Sequence, residues 1–322
     1  MATSIWFWVF FNLFVAAMLV VDLGVHRRSQ AISVREAAIW SSIWVTLALL
    51  FNAGIYHFEG TGPALEFLTG YVIEKSLAID NLFVFAVIFS YFSVPERLQY
   101  RVLHYGVLGA LVMRGLFIGL GAYAVQRWHF VLYVFGAFLV ITGLRFALRK
   151  EVISEPGNNR VVRAVRRMMP LTESWEGDRF LVRKNGQLFA TPLFLVLLVI
   201  EATDLVFAVD SIPAIFAVTR DPYLVYTSNA FAILGLRAMY FLLAHVVQRF
   251  VYLRFGLAFV LVFIGIKMLL DGVIEISTVA SLVIVATVIL VSIVHSLLRR
   301  PVPPSAATHA ESPPQSSATR SR

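Results

Sequence analysis

Two pairs of carboxylates sit in surroundings where carboxylates are expensive. Glu74 and Asp80 lie six residues apart in "EKSLAIDNLFVF", and Asp204 and Asp210 lie six apart in "DLVFAVDSIPAIF", with Glu201 close by. All five fall near the middle of apolar runs long enough to cross a bilayer. An isolated ionised carboxylate there costs at least about 2.5–3.5 kcal/mol, so five of them need protons, basic partners or a bound cation. Arg114, Arg237 and Lys75 could neutralise some of them in purely stabilising pairs, but three bases leave two acids over. Carboxylate and carbonyl oxygens suit Mg, Ca and Mn, whereas copper or zinc handling normally recruits thiolates, and the chain has no cysteine.

The spacing says how such acids can be held. A six-residue step turns a regular helix through about 600°, so the two acids of a pair point roughly 120° apart and do not share a face. Pro213 removes the backbone donor to the carbonyl of Val209. The helix is therefore expected to be unwound or kinked near Asp210 to Pro213, and a break is expected near Asp80 and Asn81. Free carbonyls beside carboxylates would make a cage for a hard cation. Ser211 and Asn81 follow the second acids of the two pairs, and Asn229 in "TSNAFAILGLR" can hydrogen-bond across helices. Asn12 and Asp22 could line the same cavity. His104 and His245 have no carboxylate motif around them and read as packed residues. No phosphate-cradling glycine loop and no nucleophile–base pattern is present, so neither ATP-driven pumping by this chain nor an enzymatic activity is expected.

The elements that position these residues follow from composition. The 322 residues are 59% hydrophobic and 14% charged, with a mean hydropathy of +0.80, against about 45–50% and about 25% in soluble domains. The apolar residues come in runs near twenty, the length that spans a hydrocarbon core of about 30 Å as helix. Nine spans are predicted, at 4–21, 38–56, 64–91, 100–124, 128–148, 191–217, 223–246, 250–270 and 276–298. The first lacks a basic start and a cleavage site and reads as a retained helix rather than a signal peptide. With the N-terminus outside and the C-terminus in the cytoplasm, twenty-one of the 27 Lys and Arg residues fall on the inner side, as the positive-inside rule requires of a plasma (inner) membrane protein. That placement accounts for the net charge of +8 without a nucleic-acid partner. The bilayer is the expected partner, and a homo-oligomer is left open.

Two stretches of the chain resemble each other. After each acid pair, the next span carries a mid-helix arginine, in "GALVMRGLFI" (Arg114) and "FAILGLRAMYF" (Arg237), and the span after that opens at "VQRW" or "VQRF" and closes on "TGLR" or "IGIK". Each unit is three helices long, so the second copy enters from the opposite side. This is the inverted-repeat plan of many secondary transporters. The expected organisation is an all-α polytopic bundle. Residues 1–63 form two helices, 64–149 the first repeat, 150–190 a basic cytoplasmic loop, 191–271 the second repeat, 272–298 a final helix and 299–322 a disordered tail. Within the loop, "RVVRAVRRMMP" predicts a short helix lying on the membrane, or else a regulatory surface, followed by an extended stretch at "FLVRKNGQLFA".

The blocks "EKSLAIDNLFVFAVIFSYFSVPERLQYRVLHYGVLGALVMRG" and "EATDLVFAVDSIPAIFAVTRDPYLVYTSNAFAILGLRAMYF" resemble the TerC/Alx family of integral membrane proteins. The resemblance implies a LysE-type transporter relationship, links to tellurite resistance, alkaline-pH response and manganese efflux, and Glu74, Asp80, Glu201, Asp204 and Asp210 as the acidic metal site. Asn81, Ser211, Arg114, Arg237 and Asn229 are the expected supporting residues. The resulting expectation is a secondary transporter that exports Mn2+ as its substrate, with no prosthetic cofactor. The alternative is a membrane scaffold or assembly and stress-resistance factor of the tellurite-resistance type without transport.

Overall fold

Polar residues at the ends of the apolar runs start the helices. Ser33 accepts a hydrogen bond from the amide of Glu36 at the start of α2 (Val34–Glu59). Thr191 does the same for Phe194 at the start of α7 (Pro192–Phe216), and Asp221 for Tyr223 at the start of α8 (Pro222–Leu234). In the last two a proline occupies the first helical position, where no backbone donor is needed. The computed structural model describes residues 5–26, 33–148, 160–172, 174–184, 186–243, 252–271, 273–274 and 276–298. The remaining helices are α1 (Ile5–His26), α3 (Thr61–Tyr91), α4 (Glu96–Arg127), α5 (Phe130–Leu148), α6 (Arg160–Met168), α9 (Leu236–Leu243), α10 (Leu253–Leu269) and α11 (Thr278–Leu298).

Among the described residues, five helices (α2, α4, α5, α7 and α11) are long and apolar enough to cross a membrane, and Ile5–Val21 of α1 is a shorter apolar stretch. The outside of the bundle is as apolar as its core: Phe58, Val112 and Leu148 are at least three-quarters exposed. Patches of that kind mark a surface meant for lipid, and helices satisfy their own backbone there. The chain is an all-α, multi-pass integral membrane protein.

Helix direction can be read from the cores. One cluster joins the C-terminal half of α3 (Ala78 to Phe89) to the first turns of α4 and α7 and to α9. Another joins the C-terminal halves of α4 and α7 to the start of α8. Thus α3 and α7, which carry the two acid pairs, run antiparallel. Helices at corresponding places in the two expected repeats touch: α3 packs on α7, α4 on α8 and α5 on α10. The α5–α10 contact depends on glycine. A Cβ on Gly136 would come within 2.9 Å of the Gly265 carbonyl, and one on Gly265 within 2.7 Å of the Gly136 carbonyl, the close backbone approach that small residues permit between membrane helices. Gly265→Leu is expected to lose at least about 1–3 kcal/mol of stability by overpacking, read as a lowered Tm in detergent, whereas Ile266→Leu on the exposed side of α10 leaves Tm unchanged.

Neither helix is unwound where unwinding was expected. Helix α7 runs unbroken through Pro213 and ends three residues later, and α3 runs unbroken through Asp80 and Asn81. One proline near a helix end costs a single ladder bond, while unwinding in an apolar setting would strand several. The interruption lies elsewhere, at Gly235 between α8 and α9.

The basic loop forms α6, then a two-stranded antiparallel hairpin of β1 (Leu181–Lys184) and β2 (Gln187–Ala190), the extended stretch anticipated above. Val162 and Val165 of α6 are buried among bundle residues rather than turned to lipid, and Leu171, Trp175 and Phe180 pack on the same cluster. Arg101 of α4 pairs with Asp178 and lies over the rings of Tyr105 and Phe180, which pins the loop against the bundle. Within it, the hydrogen bond from Lys184 holds the Glu176 carboxyl below the usual carboxylate range. The tail, His245, Arg249 and the side chain of Asp22 lie outside the described residues.

Candidate functional site

The guanidinium of Arg114, in the middle of α4, organises the interior. Only 2% of this residue is exposed, so each of its donors needs a partner. It pairs with Glu74 of α3, and its Nη2 and Nε lie 3.0 Å and 3.2 Å from the two oxygens of Asp204 on α7. Longer contacts reach Ser211 Oγ of α7 at 3.4 Å and Asn229 Oδ1 of α8 at 3.3 Å. A planar fork of five donors suits two carboxylates approached from different sides. The node therefore joins one acid from each half of the chain, together with two of the polar residues singled out beside them.

Not every acceptor is used. Glu74 Oε2 and Glu201 Oε2 are buried and receive no hydrogen bond from the described residues. Glu201 stands one helical turn before Asp204, and its carboxylate fills the space left by Gly109 of α4, where a Cβ would fall 2.0 Å from Oε1. A buried carboxylate oxygen without a donor is costly and is the kind of group that a cation or a proton satisfies. Among the described residues, no three His, Asp or Glu side chains converge in metal-binding geometry. Arg114 lies between the carboxylates of Glu74 and Asp204.

The second acid of each pair goes elsewhere, as the 120° offset demands. Asp210 is half-buried and faces the Thr142 side chain of α5. Asp80 is half-buried, and its neighbour Asn81 is buried. Six residues of helix rise about 9 Å. Because α3 and α7 are antiparallel, Asp80 and Asp210 lie on opposite sides of the Arg114 node along the bundle. Arg237 does not join the node: its guanidinium lies 4.2 Å from the centre of the Tyr100 ring of α4. Asn12 also stays outside it, accepting a hydrogen bond from Tyr226 at 2.8 Å. His104 is buried against Tyr105, in keeping with a packed residue.

Cavities approach the node from one end and stop short of it at the other. On the Asp80 side an apolar cavity lined by Ala78, Phe85, Leu103 and Leu236 reaches Arg114 and Asp204. At the opposite end of the bundle, a wider polar cavity of about 450 Å³ is bounded by Thr219, Arg220, Lys267, Asp271 and Ser277, with Arg220 paired to Asp271. Sequence reasoning did not single out Gly109, Thr142 or Tyr100. The glycine stands in the same apolar run, five residues before Arg114.

Residues 59–302 match the family described as "Integral membrane protein TerC family". A Myxococcus xanthus protein named "Uncharacterized membrane protein STKORF319" is 47% identical over 293 residues, 91% of this chain and 92% of its own. The Escherichia coli K12 protein named "Putative membrane-bound redox modulator Alx" is 51% identical over 297 residues, 89% of this chain and 92% of its own. An "Uncharacterized membrane protein" of Rickettsia felis is 40% identical over 294 residues, 91% of this chain and 98% of its own. No solved structure matches.

Proposed function

The chain belongs to the integral membrane protein TerC family, and from that premise we propose that it is a secondary transporter that exports Mn2+ across the plasma membrane. The observation that carries this reading is the Arg114 node, where carboxylates from two antiparallel helices meet beside the unbonded carboxylate oxygens of Glu74 and Glu201. In the proposed cycle Mn2+ enters from the cytoplasm, is met by Asp80, is held near Glu74, Glu201 and Asp204, and leaves past Asp210 toward the wide polar cavity. Arg114 balances the two acids when no metal is held and swings aside when it is. A hard-oxygen set without thiolates suits this ion. The pairwise contacts α3–α7, α4–α8 and α5–α10 support nine spans with an inverted three-helix repeat.

The measurement in cells is metal content: expression should lower cellular manganese and raise manganese tolerance, and unchanged content with abundant protein would count against export. Orientation is tested separately. A reporter after Arg322 should read cytoplasmic and one before Trp6 external; both ends on one side would remove the nine-span plan.

A second reading, a membrane scaffold or stress-resistance factor, draws on the same ion pairs, since Arg114 neutralises Glu74 and Asp204 as a structural bond would. The redox role in the name of the Escherichia coli relative would have no thiol to act through here, because the chain has no cysteine.

A further inference from the structure

Lys75, next to Glu74 on α3, is a buried-end ammonium that the node does not use. Among the described residues it makes no ion pair. Its Nζ instead donates to the Ala232 carbonyl of α8 at 3.2 Å, with the Tyr71 ring centre 6.0 Å away. Ala232 is three residues before the interruption at Gly235. In an unbroken helix its carbonyl would accept from the amide of Leu236; at a helix end it is an orphan. The negative end of the α8 dipole lies at the same place and favours a cation there. Lys75 thus supplies the donor that the missing turn withholds.

Gly235 makes room for it. A Cβ at this position would fall 2.7 Å from Lys75 Nζ and 3.2 Å from Trp44 Cβ, so any side chain would displace the ammonium from its present seat. The two halves of the interrupted span have different neighbours. Helix α8 delivers Asn229 to Arg114, whereas α9 places Arg237 over Tyr100. Three separate features, the break, the orphan carbonyl and the space left by glycine, meet at one lysine on the acid-bearing helix.

We propose that Lys75 is the positioning residue of transport: its ammonium, seated on the Ala232 carbonyl beneath Gly235, latches α3 to the α8–α9 hinge and so keeps α8 and its Asn229 in register with the node while access changes. The proposal rests on the export reading for its role, but the latch itself can be tested without transport. Amide hydrogen exchange over residues 231–238 reports the hinge in purified protein, with α5 and α10 as the reference. A hydrogen bond to a charged group is worth enough that its loss should speed exchange at the hinge about tenfold or more. Lys75→Met and Gly235→Ala should each do so with α5 and α10 unchanged, and the double variant should exchange no faster than either alone, because both remove one contact. In liposomes Lys75→Met should lower the maximal Mn2+ rate while the half-saturating concentration moves less than about twofold, since Lys75 is not a ligand.

Wild-type exchange at the hinge in either single variant overturns the latch, as does acceleration spread equally over α5 and α10 or multiplied in the double variant. A half-saturating concentration that rises with the rate unchanged also overturns it, by making Lys75 part of the binding site. If wild-type protein moves no Mn2+ while hinge exchange responds as described, the latch stands and the export reading falls.

Discussion

Arg114→Gln should lower the stability of the folded protein by about 3–5 kcal/mol, the range for removing one partner of a buried ion pair. The variant leaves Glu74 and Asp204, 1% and 5% exposed, facing each other without a counter-charge. The loss should appear as a lowered Tm in detergent and as reduced membrane abundance. Adding Glu74→Gln and Asp204→Asn to Arg114→Gln should restore most of the stability, because neutral amides can hydrogen-bond among themselves where two carboxylates cannot. The triple variant should remain unable to move Mn2+. Together these two results separate the node's structural role from its binding role. An Arg114→Gln protein as stable as wild type would mean that the two acids do not depend on this arginine. A triple variant that still transports would remove the node from the pathway.

The second large effect is on flux. Glu201→Gln, Asp80→Asn and Asp210→Asn each keep volume and an oxygen while removing one charge. At about 4 Å and an effective dielectric near 20, a pair of unit charges interacts by about 4 kcal/mol. Losing one carboxylate charge should therefore weaken a divalent ion's hold, or its passage, by at least about a hundredfold. These three side chains are half-buried rather than fully enclosed, and Arg114 pairs with Glu74 and Asp204 instead, so abundance should stay near wild type. The effects are read as initial rates of Mn2+ flux at equal protein. Normal rates in all three would leave the acids with a packing role.

Much of this arrangement is legible in the sequence because lipid makes polar residues conspicuous. Mid-span acids and arginines stand out against apolar runs, and the 120° offset between paired acids foretells that Glu74 and Asp204 go to one neighbour while Asp80 and Asp210 go to others. Helix α3 illustrates the limit of composition: with Glu74, Lys75 and Asp80 in its middle, it does not pass as apolar enough to span a membrane, although its buried residues line the core. The choice between Arg114 and Arg237 was not legible. Both occupy the same place in the repeat, and only three-dimensional packing sends Arg114 to Glu74 and Asp204 and lays Arg237 over the face of Tyr100. The helix break was misplaced for a similar reason. Pro213 is a strong local signal, but at the end of α7 it costs one hydrogen bond. Gly235 is a weak local signal, yet it yields because Lys75 and Trp44 fill the space where a side chain would sit. The docking of Val162 and Val165 against the bundle was hidden because an amphipathic helix looks the same whether its partner is lipid or protein.

The most direct test is Mn2+ movement by the purified protein in sealed liposomes, wild type beside Glu201→Gln, with orientation scored by protease access to the tail. The account predicts saturable Mn2+ flux in wild-type vesicles and a loss of at least about a hundredfold in Glu201→Gln, at equal incorporation and unchanged Tm. Wild-type vesicles no more permeable to Mn2+ than protein-free ones, with the protein folded and inserted, would contradict it.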